Sequence, residues 1–204
     1  MARLVSTLFC SLDGVAEVDP SWHFPYFDEN MAAAVTDDYA EAETLLLGRV
    51  TYDSFAGAWP ERELAGGEDA GFAAQLGDLR KIVLTSTPRE WAWRNTETMT
   101  QLPTALRALR TQADLGTVLI PGSLSIVRAL LELGELDELR LLVHPVVAGS
   151  GERIFAAQGR RQPLRLLSSQ TFPTGVIRLR YVPGSLPGEG EYAEAAGRLG
   201  EATA

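Results

Sequence analysis

The sequence predicts an α/β protein, a three-layer α/β/α domain around a mixed, mostly parallel sheet that finishes in antiparallel strands. Three observations carry this reading. Leu4 to Ser11 forms an apolar opening run, and Leu45-Leu46-Leu47, Ile82-Val83-Leu84 and Val118-Leu119-Ile120 are short continuous apolar runs bounded by turn residues. Strands buried on both faces of a parallel sheet have this character. Helical periodicities fill the intervals between them. Towards the end the period becomes two: Ile177, Leu179 and Tyr181 alternate with Arg178 and Arg180, as expected of a hairpin with one buried and one wet face.

In chain order, Leu4–Ser11 is the first strand. Residues 28–43 read as a helix with Asp28 as N-cap and Met31, Val35 and Tyr39 along one stripe. Pro103 fits the first turn of a helix that turns Leu106 and Leu109 inward. Ser123 can cap a helix carrying Ile126, Val127, Leu130 and Leu131 on one face and ending at Gly134. Leu139 to Val147 is a long strand, with Pro145 tolerated near an edge or bulge. Leu164–Thr171 and Val176–Val182 flank the turn Phe172-Pro173-Thr174-Gly175. A breaker cluster begins near Pro183, so residues 1–183 form the domain and 184–204 an acidic, flexible tail.

Composition narrows the function classes. At 204 residues, 46% hydrophobic and 22% charged, the chain suits one globular domain. Its 18 basic and 27 acidic residues leave a net charge of -9. Nucleic acid and anionic membrane, which attract cationic surfaces, are therefore not expected partners. No apolar run approaches the ~18 residues of a membrane span, and the amino terminus lacks a signal-peptide layout, so the expected location is cytoplasmic. Cys10 is the single cysteine, and the two histidines, His23 and His144, are far apart in the chain. Neither a disulfide framework nor a metal site is expected. Cys10 reads as a small buried residue and His144 as a strand histidine packed beside Pro145.

Ligands of open parallel sheets bind outside the carboxyl ends of the strands. Three segments there carry polar chemistry: Gly48-Arg49-Val50-Thr51, Thr85-Ser86-Thr87-Pro88 and Pro121-Gly122-Ser123. Two of them lead into helices, whose free N–H groups attract anions. Arg49 offers a planar fork for a phosphate, and Thr51 and Ser123 offer hydroxyls. Each piece alone fits ordinary turn or cap chemistry; their coincidence at one edge points to a phosphorylated cofactor. Neither G-x-G-x-x-G nor a P-loop is present. A second region, Ser11 to Phe27, brings Trp22, Phe24 and Tyr26 together in one loop. Their rings can wall a planar heterocycle or plug one end of the core. Asp13, Asp28 and Glu29 are the acids nearby, although turn-forming and helix-capping suit the first two equally. Gly149-Ser150-Gly151-Glu152-Arg153 reads as a turn at the rim.

With these segments in order, the sequence resembles the dihydrofolate-reductase-like superfamily. Within it, the likeness is to the reductase (C-terminal) domain of riboflavin-biosynthesis deaminase-reductases and their stand-alone relatives. Ser11-Leu12-Asp13-Gly14, Leu47-Gly48-Arg49-Val50-Thr51-Tyr52, Leu84-Thr85-Ser86-Thr87 and Gly122-Ser123-Leu124 carry the resemblance. The most specific stretch runs from Leu136-Asp137-Glu138-Leu139 through His144-Pro145-Val146-Val147-Ala148-Gly149-Ser150-Gly151 to Phe155. The match spans residues 3–182. It implies NADPH as hydride donor and homodimers paired through carboxyl-terminal strands. It also implies that Arg49 and Thr51 meet the cofactor phosphates and that Thr85, Ser86 and Thr87 lie near the 2′-phosphate. Gly122 and Ser123 would approach the pyrophosphate, Gly48 would belong to the same cofactor site, and Asp13 and Gly14 would border the nicotinamide and substrate. Two departures stand out. One glycine, Gly122, stands after Pro121 where two are common, and Pro121 has no N–H to donate. The first-helix carboxylate of dihydrofolate reductases is replaced by Met31-Ala32-Ala33-Ala34, so an ordinary dihydrofolate reductase is not expected.

The expected function is an NADPH-dependent reductase of a small planar heterocycle or a conjugated C=O or C=N bond, pterin- or aminopyrimidine-like. Asp13, Asp28, Glu29 or water would supply the proton, and the sequence does not choose among them. The alternative is a catalytically weak nucleotide- or flavin-binding module.

Overall fold

A computed structural model describes residues 1–87, 89–112, 116–155 and 161–185. All but the first two residues of the tail expected over 184–204 lie outside the described residues. The strands are β1 (Arg3–Ser11), β2 (Ala42–Gly48), β3 (Arg80–Leu84), β4 (Thr96–Met99), β5 (Thr117–Pro121), β6 (Glu138–His144), β7 (Leu164–Thr171) and β8 (Ile177–Pro183). They form one sheet in the order β4-β3-β2-β5-β1-β6-β8-β7. The first six run parallel, and β8 pairs antiparallel with both β6 and β7. This is the mixed sheet expected from the sequence. The strand β4 escaped the sequence reading because Thr96-Glu97-Thr98-Met99 has no apolar run.

The helices are α1 (Pro20–His23), α2 (Glu29–Ala40), α3 (Arg49–Ala56), α4 (Trp59–Ala65), α5 (Ala70–Asp78), α6 (Leu102–Thr111) and α7 (Leu124–Leu133). Residues alternate between the two sheet faces with the strand period. Leu4, Leu8, Val118 and Ile120 pack with Leu106 and Leu109 of α6 and Ile126, Val127 and Leu130 of α7. On the opposite face, Val5, Leu45, Leu47, Val83 and Leu119 pack with Tyr39 of α2, Tyr52 of α3 and Leu76 of α5. Each such buried side chain contributes roughly 1.5–3 kcal/mol. Asp28 caps α2 as expected, its Oδ1 accepting from the Met31 N–H at 2.9 Å. Gly134 ends α7 in the left-handed region at φ 69°.

Three expectations need correction. The strand expected over 139–147 ends at His144, because Pro145 cannot donate to the ladder. The stretch Pro20–Tyr26 is not a structureless loop. It folds as α1 followed by a 3-10 turn, with the Asp19 carboxylate accepting from the Ser21 N–H at 2.7 Å. Finally, Arg178 and Arg180 do not face water. The Arg178 side chain is 13% exposed and binds Asp38, while Arg180 binds Glu138. Both join Arg140 in an ionic cluster beneath α2.

Candidate functional site at the carboxyl edge of the sheet

Strands β3, β2, β5, β1 and β6 are parallel and consecutive, so their carboxyl ends open on one edge. The segments singled out from the sequence meet there. The Gly48 N–H donates to Ser123 Oγ at 2.8 Å, and Ser123 Oγ donates to Thr51 Oγ1 at 2.9 Å. One buried hydroxyl thus ties the start of α3 to the start of α7. Ser123 occupies the N-cap position of α7 but makes no cap bond with its side chain, so the capping role expected for it is replaced by this cross-strand link. Gly48 also leaves α3 without a side-chain cap. Two helix starts therefore present uncapped amides to the same edge, and uncapped helix starts favour anions. Gly122 has φ 74°, where a side chain is strained. A Cβ there would lie 3.7 Å from Thr51 Cγ2, an ordinary contact, so backbone shape rather than space calls for glycine.

Arg49 lies on the exposed side of this knot and bonds Asp53 at 3.1 Å. Arg89, which the sequence reading missed, binds the same carboxylate. Its guanidinium lies 4.6 Å from the Trp91 ring centroid. Two cations thus converge on one half-exposed carboxylate. Exposed pairs of this kind hold each other by only ~0–1 kcal/mol, so a phosphate can displace Asp53. Thr85, Ser86 and Thr87 follow β3 beside Gly48, whose register partner is Leu84. The Thr87 N–H donates to Thr85 Oγ1 at 3.2 Å. Nothing in the local sequence marked Arg89, since its partner Asp53 is 36 positions away.

Asp13 and Gly14 form the turn after β1. The Asp13 carboxylate accepts from Ser11 Oγ at 2.7 Å and from the N–H groups of Ala148 and Gly149 at 2.9 and 3.1 Å. Arg153 also binds it. These bonds, the Ser11 hydroxyl first, hold its carboxyl well below the usual range. It therefore stays ionised and anchors the 148–153 turn. Asp28 is likewise lowered, by the Met31 amide first and Asn30 next. Neither acid carries a proton near neutral pH. Glu29 is exposed at the start of α2.

The aromatic segment closes this end. Phe24 is exposed, whereas Trp22 and Tyr26 are half-buried and set their rings edge-on to His144 at 5.1 and 5.9 Å. The two histidines, distant in the chain, are neighbours in the fold: His23 Nδ1 lies 3.1 Å from His144 Nε2. Cys10 is buried as expected, and burial pushes its thiol up to about 12. Among the described residues no cluster of three or more His, Cys, Asp or Glu can hold a metal ion, and no helix is long and apolar enough to cross a membrane. A groove of about 500 Å³ lined by Asp78, Arg80, Asn95, Thr96 and Glu97 lies at the opposite, amino end of β3 and β4. Arg80 and Glu97 pair with each other there.

Known proteins share this architecture. A protein of Shewanella sp. PV-4 assigned to riboflavin biosynthesis superposes with a TM-score of 0.69 at 16% identity, over 91% of this chain and 100% of that one. A pyrimidine reductase-like protein of Corynebacterium diphtheriae gives 0.63 at 17% identity, over 91% and 93%. RibD of Acinetobacter baumannii gives 0.62 at 16%, over 91% of this chain and 59% of that one. At such identities the likeness establishes the fold. By sequence, the uncharacterized protein YyaP of Bacillus subtilis (strain 168) is 26% identical over 186 residues, covering 88% of this chain and 94% of its own. The family model described as RibD C-terminal domain matches residues 2–178, and the chain belongs to that family.

Proposed function

We propose that the protein is an NADPH-dependent reductase that transfers a hydride to a small planar heterocycle or a conjugated C=O or C=N bond. The observation that carries this reading is the hydrogen-bonded knot of Gly48, Thr51 and Ser123, which joins two uncapped helix starts at one sheet edge. The donor set fits a dinucleotide: backbone amides and hydroxyls for the pyrophosphate, and Arg49 with Arg89 for a 2′-phosphate. When bound, NADPH supplies the hydride. The protein's part is to orient the two rings and exclude water. Asp13, Asp28 and Glu29 remain with water as the candidates to relay the proton, Asp13 also holding the turn at the rim.

The decisive measurement is cofactor affinity by fluorescence titration. A charged hydrogen bond is worth ~1.5–3 kcal/mol, so Arg49→Ala weakens NADPH roughly ten- to a hundredfold and NADH much less. Arg89→Ala follows the same pattern. Equal weakening of both cofactors removes these arginines from the 2′-phosphate. Tight NADPH binding without oxidation by any pterin, flavin precursor or quinone favours the nucleotide-binding module instead, a reading that Pro121 at the end of β5 keeps in play.

The partner we propose is a second copy of the chain. The strand β7 is the sheet edge and is exposed along nearly its whole length, Leu166 and Leu167 included. An open edge with two exposed leucines invites pairing. Sedimentation should give a dimer that Leu167→Lys converts to monomer; a monomeric native protein overturns the pairing.

A further inference from the structure

His23 is 5% exposed and His144 is fully buried, and their hydrogen bonds can be read in only one direction. His144 Nδ1 lies 3.2 Å from Cys10 O and 3.1 Å from Leu142 O. Carbonyl oxygens only accept, so His144 Nδ1 carries the proton and Nε2 keeps its lone pair. That lone pair faces His23 Nδ1 at 3.1 Å, so His23 donates from Nδ1 and its own Nε2 is left as an acceptor. Among the described residues no group donates to His23 Nε2. His23 Nε2 is not among the fully buried side-chain atoms that lack a partner, so this unpaired acceptor is open to a donor that enters from solvent.

We propose that His23 Nε2 is a substrate-recognition acceptor for a ring N–H of the planar heterocycle, and that His144 is the positioning residue that fixes its tautomer. The claim rests on the reductase reading above. Both rings lie at the carboxyl end of β1 and β6, where His144 pairs in register with Ser11. Phe9, Trp22, Phe24 and Phe27 surround His23, with ring centroids 4.5 to 6.4 Å away. The one polar group on these four side chains is the Trp22 indole N–H, which donates and cannot accept a ring N–H, so among them the lone pair of His23 is the group that can select a ring carrying an N–H. Burial first, and the neighbouring His144 second, lower the His23 imidazole to about 4, consistent with an acceptor that stays neutral.

The test uses protein loaded with NADP⁺ and two probes, lumazine, which carries ring N–H groups, and its N,N-dimethyl derivative, which carries none. Lumazine should bind about tenfold more tightly than the dimethyl form, as one neutral hydrogen bond allows. His23→Leu should erase that preference. His144→Gln, which keeps an acceptor for His23, should retain it, and His144→Leu should lose it. Imidazole nitrogen NMR of the wild type should show protonated Nδ1 on both rings, a signature indifferent to variant folding. A protonated His23 Nε2, equal binding of the two probes, or binding of neither overturns the proposal. If NADP⁺ itself fails to bind, the reductase reading falls as well; if it binds and the probes are not distinguished, only the role of His23 falls.

Discussion

Beneath α2, the Arg140 side chain is 1% exposed and its guanidinium is divided among Asp38, Glu138 and Glu41 at 2.6 to 2.8 Å. At the carboxyl edge, the Arg49 side chain is 54% exposed and holds one half-exposed aspartate. Both clusters are polar and both sit on the same sheet. In the first, Arg140, Asp38 and Glu138 are sealed from water and committed to protein partners, with Glu41 alone of the three carboxylates reaching solvent. Burial alone would raise the Glu138 carboxyl, yet bonds from Arg180 and Arg140 keep it below its usual value. In the second, water screens the pairs and a ligand can exchange with them. Burial thus separates charges that hold the fold from charges available for binding.

The largest test of this contrast is Arg140→Met. It removes the most deeply buried arginine that Asp38 and Glu138 share, leaving them to Arg178 and Arg180 alone, and should cost about 3–5 kcal/mol in urea unfolding. A loss below ~1 kcal/mol would mean the cluster is as weakly coupled as a surface pair. The histidine pair comes next. His23 titrates near 4 in the fold and near 6.5 when exposed, so the unfolded chain takes up the proton first. Stability is therefore full above about pH 6.5 and falls as pH drops towards 4, by up to about 3 kcal/mol. Unfolding curves of His23→Phe should be flatter over that window; identical slopes would show that His23 is not the group responsible. The smallest effect is expected at the edge. Ser123→Ala removes the link between Gly48 and Thr51 and should lower stability by ~1 kcal/mol while weakening NADPH about tenfold. Loss of stability with unchanged cofactor affinity would move Ser123 from the binding site to the scaffold.

The sheet was legible because its signals are local. Apolar runs fixed β1, β2, β3 and β5, and Asp28 and Gly134 marked helix ends as their chemistry requires. Buried charge was not legible in this way. Lys81 lies inside a strand and is fully buried, its Nζ donating to the carbonyls of Leu76, Gly77 and Leu79 at 2.7 to 2.9 Å. Arg178 and Arg180 looked solvent-facing because their alternation resembles a wet face. Their partners, Asp38 and Glu138, are supplied by α2 and β6, which no window around the hairpin contains. The carboxyl-edge segments were each visible, yet Arg89 was not, because its meaning lies in sharing Asp53 with Arg49.

The sequence by itself determined β1, β2, β3 and β5, the helices α2, α6 and α7, the hairpin at the end and the polar turns that follow β1, β2, β3 and β5. These follow from periodicity, caps and turn residues, whose physics acts over a few neighbouring positions. Only the tertiary structure decided that Ser123 bonds Gly48 and Thr51 rather than capping its own helix. It alone set His23 against His144 and sank three arginines beneath α2. Those outcomes depend on which remote groups the packed sheet brings within hydrogen-bond range, and on how much water the packing removes.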